Sequence, residues 1–437
     1  MVLLRPRTPP MGWNSWDCYG TTVTEAEVLA NAEILAGELL PQGWDTVVID
    51  IDWSDPTARS HGYNGEAPLA MDDHGRLIPD VVRFPSSAGG AGFAPLAERI
   101  HALGLKFGIH TMRGIPRRAV AARTPILGAD ATAAVVADPR NLCEWNPDML
   151  GLDHSHPAAQ AYYDSTIDLY ASWGVDFLKT DDMLWPYQTA DIEAYSAAVE
   201  RSPRGFALSL SPGRDLSMAH LDHLRAHATM WRVSDDLWDD WSAVVANLAR
   251  LGRWAPHAIE GAWPDGDMLP LGRLGLRAER GAPRDDALTP AQRRTLLTVW
   301  LMARSPLMIG GDLPTTDPAT MALFASPAVA RIVSDSIGGR EVLREEPLVL
   351  WTAEGRSGAR YAAVINLGDE PLATAVDASA IGFDGGAPVR DLWTGATFDR
   401  APVAVQSDDA RGVAPGSTAL RVVLEPHASA LLMQEGD

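Results

Sequence analysis

The sequence predicts an α/β protein in which a (β/α)₈ barrel is followed by an antiparallel β-sandwich. Over the first three quarters of the 437 residues, short apolar segments alternate with segments of helical periodicity. After about residue 335 the helical periodicity stops, and short strands separated by Gly, Pro, Asp and Ser follow one another. We therefore predict a barrel domain at 1–335 and a C-terminal β-sandwich domain at 336–437. The strands predicted in the second domain are Leu348–Trp351, Tyr361–Leu367, Val389–Trp393 and Ala419–Leu424.

Eight segments of the first domain have the composition of buried parallel strands. Asp45–Trp53 (DTVVIDIDW) is typical, because its centre is apolar and β-branched. Eight strand–helix units in roughly 330 residues favour a TIM barrel. An open doubly wound sheet would bring a glycine-rich phosphate loop after the first strand, and the sequence has none there. The predicted strands are Pro10–Trp13, Asp45–Trp53, Leu105–His110, Val175–Thr180, Phe206–Ser211, Thr229–Ser234, His257–Ala262 and Pro306–Gly310.

Helix signals separate these strands. Thr24 and Glu27 have the spacing of a capping box, in which each residue satisfies a free backbone N–H of the first turn. Thr289, Pro290 and Gln292 form a similar start for a later helix. The predicted helices include Thr24–Leu40, Phe93–Leu103, Ala158–Trp173, Ser242–Leu251 and Ala291–Arg304.

The charge of the chain restricts its partners. Asp and Glu number 57 against 36 Lys and Arg, a net charge of −21. Such a surface repels nucleic acid and anionic membranes, so we exclude both as partners. No apolar run reaches transmembrane length, and the segment before Pro10 lacks the apolar core of a signal peptide. We expect a cytoplasmic protein, although a mature secreted chain would look similar. The sequence leaves the oligomeric state open, and a homo-oligomer is possible.

Polar side chains are predicted at the ends of most barrel strands, where barrel enzymes carry their chemistry. A single aspartate there is more often a helix cap or a turn residue. The functional interpretation gains weight because so many strands deliver a polar group together. The residues concerned are Trp13, Asp50, Asp52, His110, Arg113, Lys179, Asp181, Asp182, Ser211, Arg232, Asp235, Asp236 and Asp267.

Two kinds of site fit these carboxylates, a metal centre and a pair for acid/base catalysis. A metal centre usually needs histidines and carboxylates in one cluster. Of the eleven histidines, only His110 lies at a predicted strand end. Lys179 and Arg232 stand beside the carboxylates and suit a site without metal or cofactor.

Five motifs resemble glycoside hydrolase family 27, which contains α-galactosidases and α-N-acetylgalactosaminidases. Each motif alone is weak, but together they follow the family's order on the expected strand ends. The resemblance implies a (β/α)₈ barrel with an antiparallel β domain, a retaining mechanism without a cofactor, and a glycoside or oligosaccharide as substrate. The motifs are Pro10–Trp16 (PMGWNSW), Trp173–Asp182 (WGVDFLKTDD), Trp231–Asp236 (WRVSDD), Trp263–Leu269 (WPDGDML) and Ala303–Asp312 (ARSPLMIGGD).

The resemblance also assigns the two catalytic roles. The family's Lys-x-Asp motif makes Asp181 the nucleophile, and its Arg followed four residues later by Asp makes Asp236 the general acid/base. Lys179 shares a strand face with Asp181, so that its charge would keep the nucleophile ionised. Asp182 and Asp235 remain rivals, because predicted boundaries shift by a few residues.

Substrate contacts are assigned in the same way. Lys179 would bind sugar hydroxyls, Trp13 would form part of the pocket wall, and Asp267 would lie beside the sugar. Arg232, as the arginine of the acid/base motif, belongs to the same set.

The sequence departs from the family at the end of its second strand. The family places two adjacent aspartates there, one on the 4-hydroxyl and one on the 6-hydroxyl of the sugar. Asp50 matches the first, Ile51 replaces the second, and Asp52 lies one position further. Since side chains alternate along a strand, this displacement puts the contact to the 6-hydroxyl in question.

Strands 3 and 5 depart as well. Strand 3 ends in His110 where the family has Tyr, and Arg113 follows at the start of an insertion of about 60 residues expected to cover the active site. Arg113 or Trp145 from this insertion could reach the pocket. α-Galactosidases place a Glu that contacts the 2-hydroxyl at the position of Ser211. α-N-Acetylgalactosaminidases of the family have a Ser at this position, as this chain does.

The expected function is a retaining exo-hydrolase acting on terminal α-D-galactosyl residues. α-N-Acetylgalactosaminidase, β-L-arabinopyranosidase and isomaltose-releasing activities are alternatives on the same scaffold. A non-catalytic sugar-binding barrel is the alternative of another class. It is disfavoured because a binding relic has little reason to keep Asp181, Asp236, Lys179 and Arg232 together.

Overall fold

The computed structural model describes residues 3–384, 387–398, 400–402 and 418–436. The chain forms two compact units. The first comprises the chain up to Asp236 together with Glu260–Asp286 and Leu307–Met321, and the second comprises Leu237–Ile259, Ala287–Pro306 and the chain from Ala322. These units interleave along the sequence, and the division into domains 1–335 and 336–437 stays a prediction.

Eight parallel strands in the first unit form the predicted barrel. Their order in the sheet is β7-β6-β5-β4-β3-β2-β1-β8. A parallel bridge from Leu269, just after β7, to Ile309 of β8 joins the two ends of the sheet. The strands are β1 (Met11–Asn14), β2 (Thr46–Ile49), β3 (Lys106–Met112), β4 (Phe177–Asp181), β5 (Ala207–Leu210), β6 (Met230–Arg232), β7 (Trp263–Asp265) and β8 (Leu307–Ile309).

The register of neighbouring strands brings their polar ends together. His110 of β3 pairs with Lys179 of β4, and Met112 pairs with Asp181. Arg232 of β6 pairs with Asp265 of β7. Because all eight strands are parallel, their carboxyl ends lie at the same end of the barrel.

The seventh predicted strand is wrong. It was expected at His257–Ala262, but β7 forms at Trp263–Asp265. The expected segment begins in a 3₁₀ turn, Ala255–His257, and contains Gly261 at φ 76°, a left-handed conformation that interrupts a strand. The other seven predicted strands overlap observed ones.

Helices follow most of the strands, and both predicted capping boxes are formed, at Thr24 with Glu27 and at Thr289 with Gln292. Within the described residues, no helix combines the length and the hydropathy needed to cross a bilayer. The α-helices are Trp16–Tyr19, Glu25–Ile34, Ala94–Ala102, Arg117–Ala122, Ala133–Val136, Pro157–Ser172, Thr189–Arg201, Leu221–His227, Trp241–Trp254, Pro290–Ala303, Pro318–Phe324 and Pro327–Asp335.

The insertion between β3 and β4 has a small sheet of its own. Three antiparallel strands, Ile115–Pro116, Ala137–Leu142 and Met149–Leu152, lie side by side with the last one in the middle. Two short helices precede the second of these strands. A short antiparallel pair, Arg273–Leu274 with Arg284–Asp285, follows β7.

The C-terminal strands form two antiparallel sheets that share one apolar core, as predicted for a β-sandwich. Leu350 and Val364 from the larger sheet and Val376 and Leu420 from the smaller belong to this core. The larger sheet contains Ser336–Glu345, Leu348–Gly355, Arg360–Asn366, Ser429–Gln434, Val389–Asp391 and Thr397–Phe398, and the smaller contains Leu372–Asp377, Thr418–Leu424 and Arg400–Pro402.

Candidate active site

A cavity of about 640 Å³ opens at the carboxyl ends of the barrel strands. This volume is in the usual range for small-molecule sites. Its lining includes most of the charged residues that the sequence placed at strand ends. They are Asp50, His110, Lys179, Asp181, Asp182, Arg232, Asp235 and Asp236.

His110 lies between two carboxylates, Asp50 and Asp181. Its Nδ1 is 2.8 Å from Oδ1 of Asp50, and its Nε2 is 3.2 Å from Oδ2 of Asp181. Lys179 adds a second cation, with Nζ 3.6 Å from Oδ2 of Asp50. Asn14 donates to the same oxygen of Asp50 at 2.9 Å. The pocket floor therefore combines two basic and two acidic side chains at short distances.

Each of these four side chains shifts the pKa of its oppositely charged neighbours towards the ionised form and opposes the effect of burial. Burial raises the pKa of Asp181, but His110 and Lys179 outweigh it and leave the pKa below its ordinary value. The pKa of Asp50 is lowered in the same way, against burial, by His110 and Lys179. Burial lowers the pKa of His110, yet the charge of Asp50 more than offsets it, so the net shift is upward. Asp181 therefore presents a carboxylate at neutral pH, as a nucleophile requires.

Two further contacts hold the Asp181 carboxylate. Its Oδ1 accepts hydrogen bonds from Ser211 Oγ at 3.1 Å and from the backbone N–H of Asp182 at 3.0 Å. Ser211 is buried and does not line the cavity. Its hydroxyl thus orients a carboxylate, which differs from the sugar contact that the resemblance implied.

A second charged group surrounds Arg232. The guanidinium donates to Oδ1 of Asp236 at 2.8 Å and lies 2.7 Å from Oδ1 of Asp267. Asp236 is partly exposed, with 35% of its side chain accessible, whereas Asp267 is buried. Burial, reinforced by the charge of Asp236, raises the pKa of Asp267 to about 7 in spite of Arg232. Asp267 therefore holds a proton over part of the neutral pH range, beside the Arg232 guanidinium.

Asp17 is a buried carboxyl group that the sequence analysis missed. Burial raises its pKa well above the ordinary value, and the charges of Asp267 and Asp236 add to the effect. Its Oδ2 has no hydrogen-bond partner among the described residues. Asp17 directly follows the family motif at β1, but nothing in its spacing distinguished it from a helix-cap residue.

Five predicted contact residues do not line the cavity: Ser211 and Asp267, described above, and three more. Trp13 is fully buried and donates its indole N–H to the Gly311 carbonyl at 2.9 Å. Asp52 adopts φ 63°, so the chain turns there, and its carboxylate accepts from Asn146 at 3.3 Å beside a separate small cavity. Arg113 is buried in an ion pair with Asp182 at 2.6 Å.

The rivals for the catalytic roles lie in different surroundings. Asp182 forms an ion pair with Arg113. Its backbone has φ 59°, at the point where the chain leaves β4. Asp235 has a side chain that is 58% exposed, with Arg214 3.8 Å away. Neither contacts His110 or Arg232 in the described ion pairs.

Aromatic residues line the cavity on the side of the insertion. Trp16 stacks on Tyr63 with ring centroids 5.7 Å apart, and Tyr63 contacts Trp145 at 4.9 Å. The sequence had suggested Trp145, but Tyr63 carried no signal. Further lining residues that the sequence analysis did not single out include Arg140, Asn141, Glu144, Trp185, Glu279 and Arg280.

Among the described residues, the side chains spaced to hold a metal ion are Glu193, His223 and His227. None of them lines the cavity. The charged residues of the cavity form ion pairs with one another.

Comparison with known proteins identifies the family. Residues 154–335 match the α-galactosidase A family, and 345–433 match the α-galactosidase C-terminal β-sandwich domain. The solved structure of a family 27 β-L-arabinopyranosidase from Geobacillus stearothermophilus, in complex with arabinose, is 42% identical, covers 99% of this chain and 98% of its own, and has a TM-score of 0.91.

Two other relatives carry different names. A Bacillus halodurans protein, provisionally described as an α-N-acetylgalactosaminidase, is 39% identical over the full length of both chains, with a TM-score of 0.85. The α-galactosidase of Coffea arabica is 27% identical over 89% of this chain and 88% of its own. The fold, the motifs and these relatives agree, and the chain belongs to glycoside hydrolase family 27 and is a glycoside hydrolase of the α-galactosidase type.

Proposed function

We propose that the enzyme is a retaining exo-glycosidase that prefers β-L-arabinopyranosides and cleaves α-D-galactosides more slowly in the same site. The two sugars have the same ring configuration, and the pentose lacks only the hydroxymethyl group. The observation that carries this proposal is the apolar side chain of Ile51, which lines the cavity beside Asp50.

Asp181 is the nucleophile of this proposal. Its carboxylate attacks the anomeric carbon, and the aglycone oxygen leaves from the opposite face, forming a covalent glycosyl-enzyme. The contacts from His110, Ser211 and the Asp182 N–H support the role, because they hold the carboxylate ionised and in one orientation.

Asp236 is the general acid/base. It gives its proton to the leaving oxygen in the first step and removes a proton from the attacking water in the second. Its partial exposure suits this exchange with water, and Arg232 fixes its position. The raised pKa of Asp267, which contacts the same guanidinium, indicates that carboxyl groups beside Arg232 can retain a proton near neutral pH.

The sugar specificity follows from the pair Asp50 and Ile51. Asp50, held by Asn14 and Lys179, remains to accept a hydrogen bond from a ring hydroxyl. In the family resemblance, the next position contacts the 6-hydroxyl, and here it is apolar. A galactoside would place its 6-hydroxyl where this partner is missing, whereas a pentoside has no such group to leave unpaired.

Ser211 gives no support to a preference for N-acetylgalactosaminides. Its hydroxyl donates to Asp181 and the residue is buried outside the cavity lining. The relative from Geobacillus stearothermophilus, a β-L-arabinopyranosidase at 42% identity, supports the pentoside instead.

The proposal is tested by kcat/KM on 4-nitrophenyl β-L-arabinopyranoside, α-D-galactopyranoside and N-acetyl-α-D-galactosaminide. We expect the pentoside to exceed the galactoside by roughly 10–200-fold, the scale at which an apolar pocket discriminates between close analogues. Proton NMR of the first product should show the anomeric configuration of the substrate, since two displacements restore it.

Ile51→Asp, with Ile51→Val as the matched control, links the preference to this position. The aspartate should move the ratio towards the galactoside, and the valine should leave it nearly unchanged. A wild-type enzyme that prefers the galactoside, or a ratio unaffected by Ile51→Asp, contradicts the proposed specificity. An inverted first product contradicts the mechanism separately.

A further inference from the structure

A second cluster of ligating side chains lies outside the active-site cavity, on two helices of the first unit. Glu193 belongs to the helix Thr189–Arg201, and His223 and His227 belong to the helix Leu221–His227. One ligating atom from each residue lies within 4.8 Å of the others. The two histidines are four residues apart, so they project from the same face of their helix.

The distances within this cluster approach those of a bound transition metal. Metal–ligand bonds of about 2.0–2.1 Å in a tetrahedral site place ligand atoms about 3.4 Å apart. His223 Nε2 is already 3.3 Å from Oε1 of Glu193, and the two imidazole ring centroids are 4.6 Å apart. Glu193 is exposed, so its side chain can adjust without disturbing the core.

His223 is oriented as a metal ligand is. Its Nδ1 lies 2.6 Å from the hydroxyl of Tyr187, which leaves Nε2 directed at Glu193. Metal-binding histidines usually donate their other ring N–H to an oxygen in this manner. The ring of Tyr187 stacks on His220 with centroids 3.7 Å apart, so the oxygen is itself held in place.

His227 has binding capacity that the protein does not use. Its Nδ1 is shielded from solvent and has no hydrogen-bond partner among the described residues.

We propose that Glu193, His223 and His227 bind a divalent transition metal, Zn²⁺ by preference, at a site separate from the catalytic pocket. Two imidazoles and one carboxylate are ligands that Zn²⁺ favours over Ca²⁺ and Mg²⁺, and water completes the coordination. The ion connects the helices Thr189–Arg201 and Leu221–His227. It also fixes Tyr187, which directly follows the cavity-lining Trp185 and Pro186.

The test uses the full-length, untagged protein, stripped with EDTA and dialysed, because a polyhistidine tag would itself bind the probe. Isothermal titration with ZnCl₂ should show one saturable site per chain. His223→Ala and His227→Ala should each weaken binding by about 10-fold or more, and Tyr187→Phe should weaken it by roughly 10–100-fold, the usual effect of removing a hydrogen bond to a ligating histidine.

His101→Ala is the matched control. His101 contacts Asp176 at 2.7 Å, and this histidine–carboxylate pair has no third ligand among the described residues, so its loss should leave the zinc titration unchanged. The conservative His227→Asn keeps the test valid if the alanine variant does not fold. Failure of the wild-type protein to bind zinc saturably, or binding that survives both changes at His227, overturns the proposal. Hydrolysis of glycosides is measured separately, so neither result affects the proposed function.

Discussion

At the scale of single residues, the active site works through charges that set each other's pKa. Asp50 is buried and Asp181 is half-buried, yet both have lowered pKa values because His110 lies between them and Lys179 beside them. Around Arg232, which contacts Asp236 and Asp267, the pKa shift has the opposite sign: burial dominates and raises the pKa of Asp267. One ionised carboxylate and one group able to hold a proton are the two components that the proposed retaining mechanism needs.

His110 offers a direct test of this arrangement. His110→Asn removes the cation between Asp50 and Asp181, so the pKa of Asp181 should rise. Because the proposed nucleophile Asp181 must be ionised to attack, the acid limb of the pH profile of kcat/KM should move to higher pH by about 1–3 units, the usual effect of an opposite charge at this distance. The measurement is the profile with the preferred aryl glycoside.

Asp52→Asn is the control for this profile. Burial, with the charge of Asp55, raises the pKa of Asp52 to about 7, but its side chain lies outside the active-site cavity. Removing it should leave the acid limb where it is. An unmoved limb in His110→Asn, or a moved limb in Asp52→Asn, would show that another group governs the profile.

The positions of single residues also show which parts of the site could be predicted from the sequence. Lys179, Asp181, Arg232 and Asp236 were placed in one pocket by strand alternation and family motifs, and the structure brings them together. Asp52 lies outside the pocket because the chain turns at this residue, with φ 63°. A left-handed conformation at an aspartate is a local choice that hydrophobic periodicity does not reveal.

At the scale of elements, regular segments were predictable and irregular ones were not. Most barrel strands and both capping boxes follow from apolar runs and residue spacing. The seventh strand was misplaced because Trp263–Asp265 contains a proline and an aspartate, which are uncommon in strands, so this segment did not stand out as a strand. The sheet of the insertion depends on pairing between short segments far apart in sequence, which local propensity does not determine.

The insertion supplies one side of the cavity through Trp145, which continues the aromatic row of Trp16 and Tyr63. Trp145→Ala should raise KM by roughly 2–10-fold with little change in kcat, because an aromatic contact contributes about 0.5–1.5 kcal/mol and forms before the bond breaks. Steady-state kinetics on the preferred aryl glycoside measure both constants.

Trp145→Phe controls for the shape of the insertion. Phenylalanine keeps an aromatic face towards Tyr63 and should recover most of the loss in KM. A fall in kcat at constant KM would instead mean that the insertion organises the catalytic carboxylates and does not bind the sugar.

At the scale of the whole molecule, buried carboxyl groups make stability depend on pH. Burial is the largest cause of a raised pKa at Asp17, Asp52, Asp148, Asp182, Asp265 and Asp267. A carboxyl group whose pKa is higher in the folded state contributes stability below its unfolded pKa of about 3.9, and loses it as pH rises through the folded value. Asp50 and Asp181, with lowered pKa, act in the opposite direction and lose their contribution at low pH.

The net charge of −21 adds self-repulsion as the carboxyl groups ionise. Salt distinguishes the two effects. Repulsion between surface charges is screened strongly at 1 M salt, where the Debye length is about 3 Å, whereas buried groups are screened much less. A cytoplasmic location stays a prediction, and it bears on this balance only through the pH at which the enzyme works.

The protein should therefore be most stable at mildly acidic pH and lose stability as pH rises towards neutrality. Folded pKa values of about 6 for Asp182 and about 7 for Asp52 and Asp267 place most of the loss between pH ~5 and ~8. Scanning calorimetry over this range, in 0.1 M and 1 M salt (roughly 10 Å and 3 Å Debye lengths), measures it as a fall in Tm. Asp52→Asn should make the fall shallower at both salt concentrations, because it removes a buried group that must ionise. If Tm rises steadily to pH ~8, the buried carboxyl groups ionise without cost and their raised pKa values are wrong.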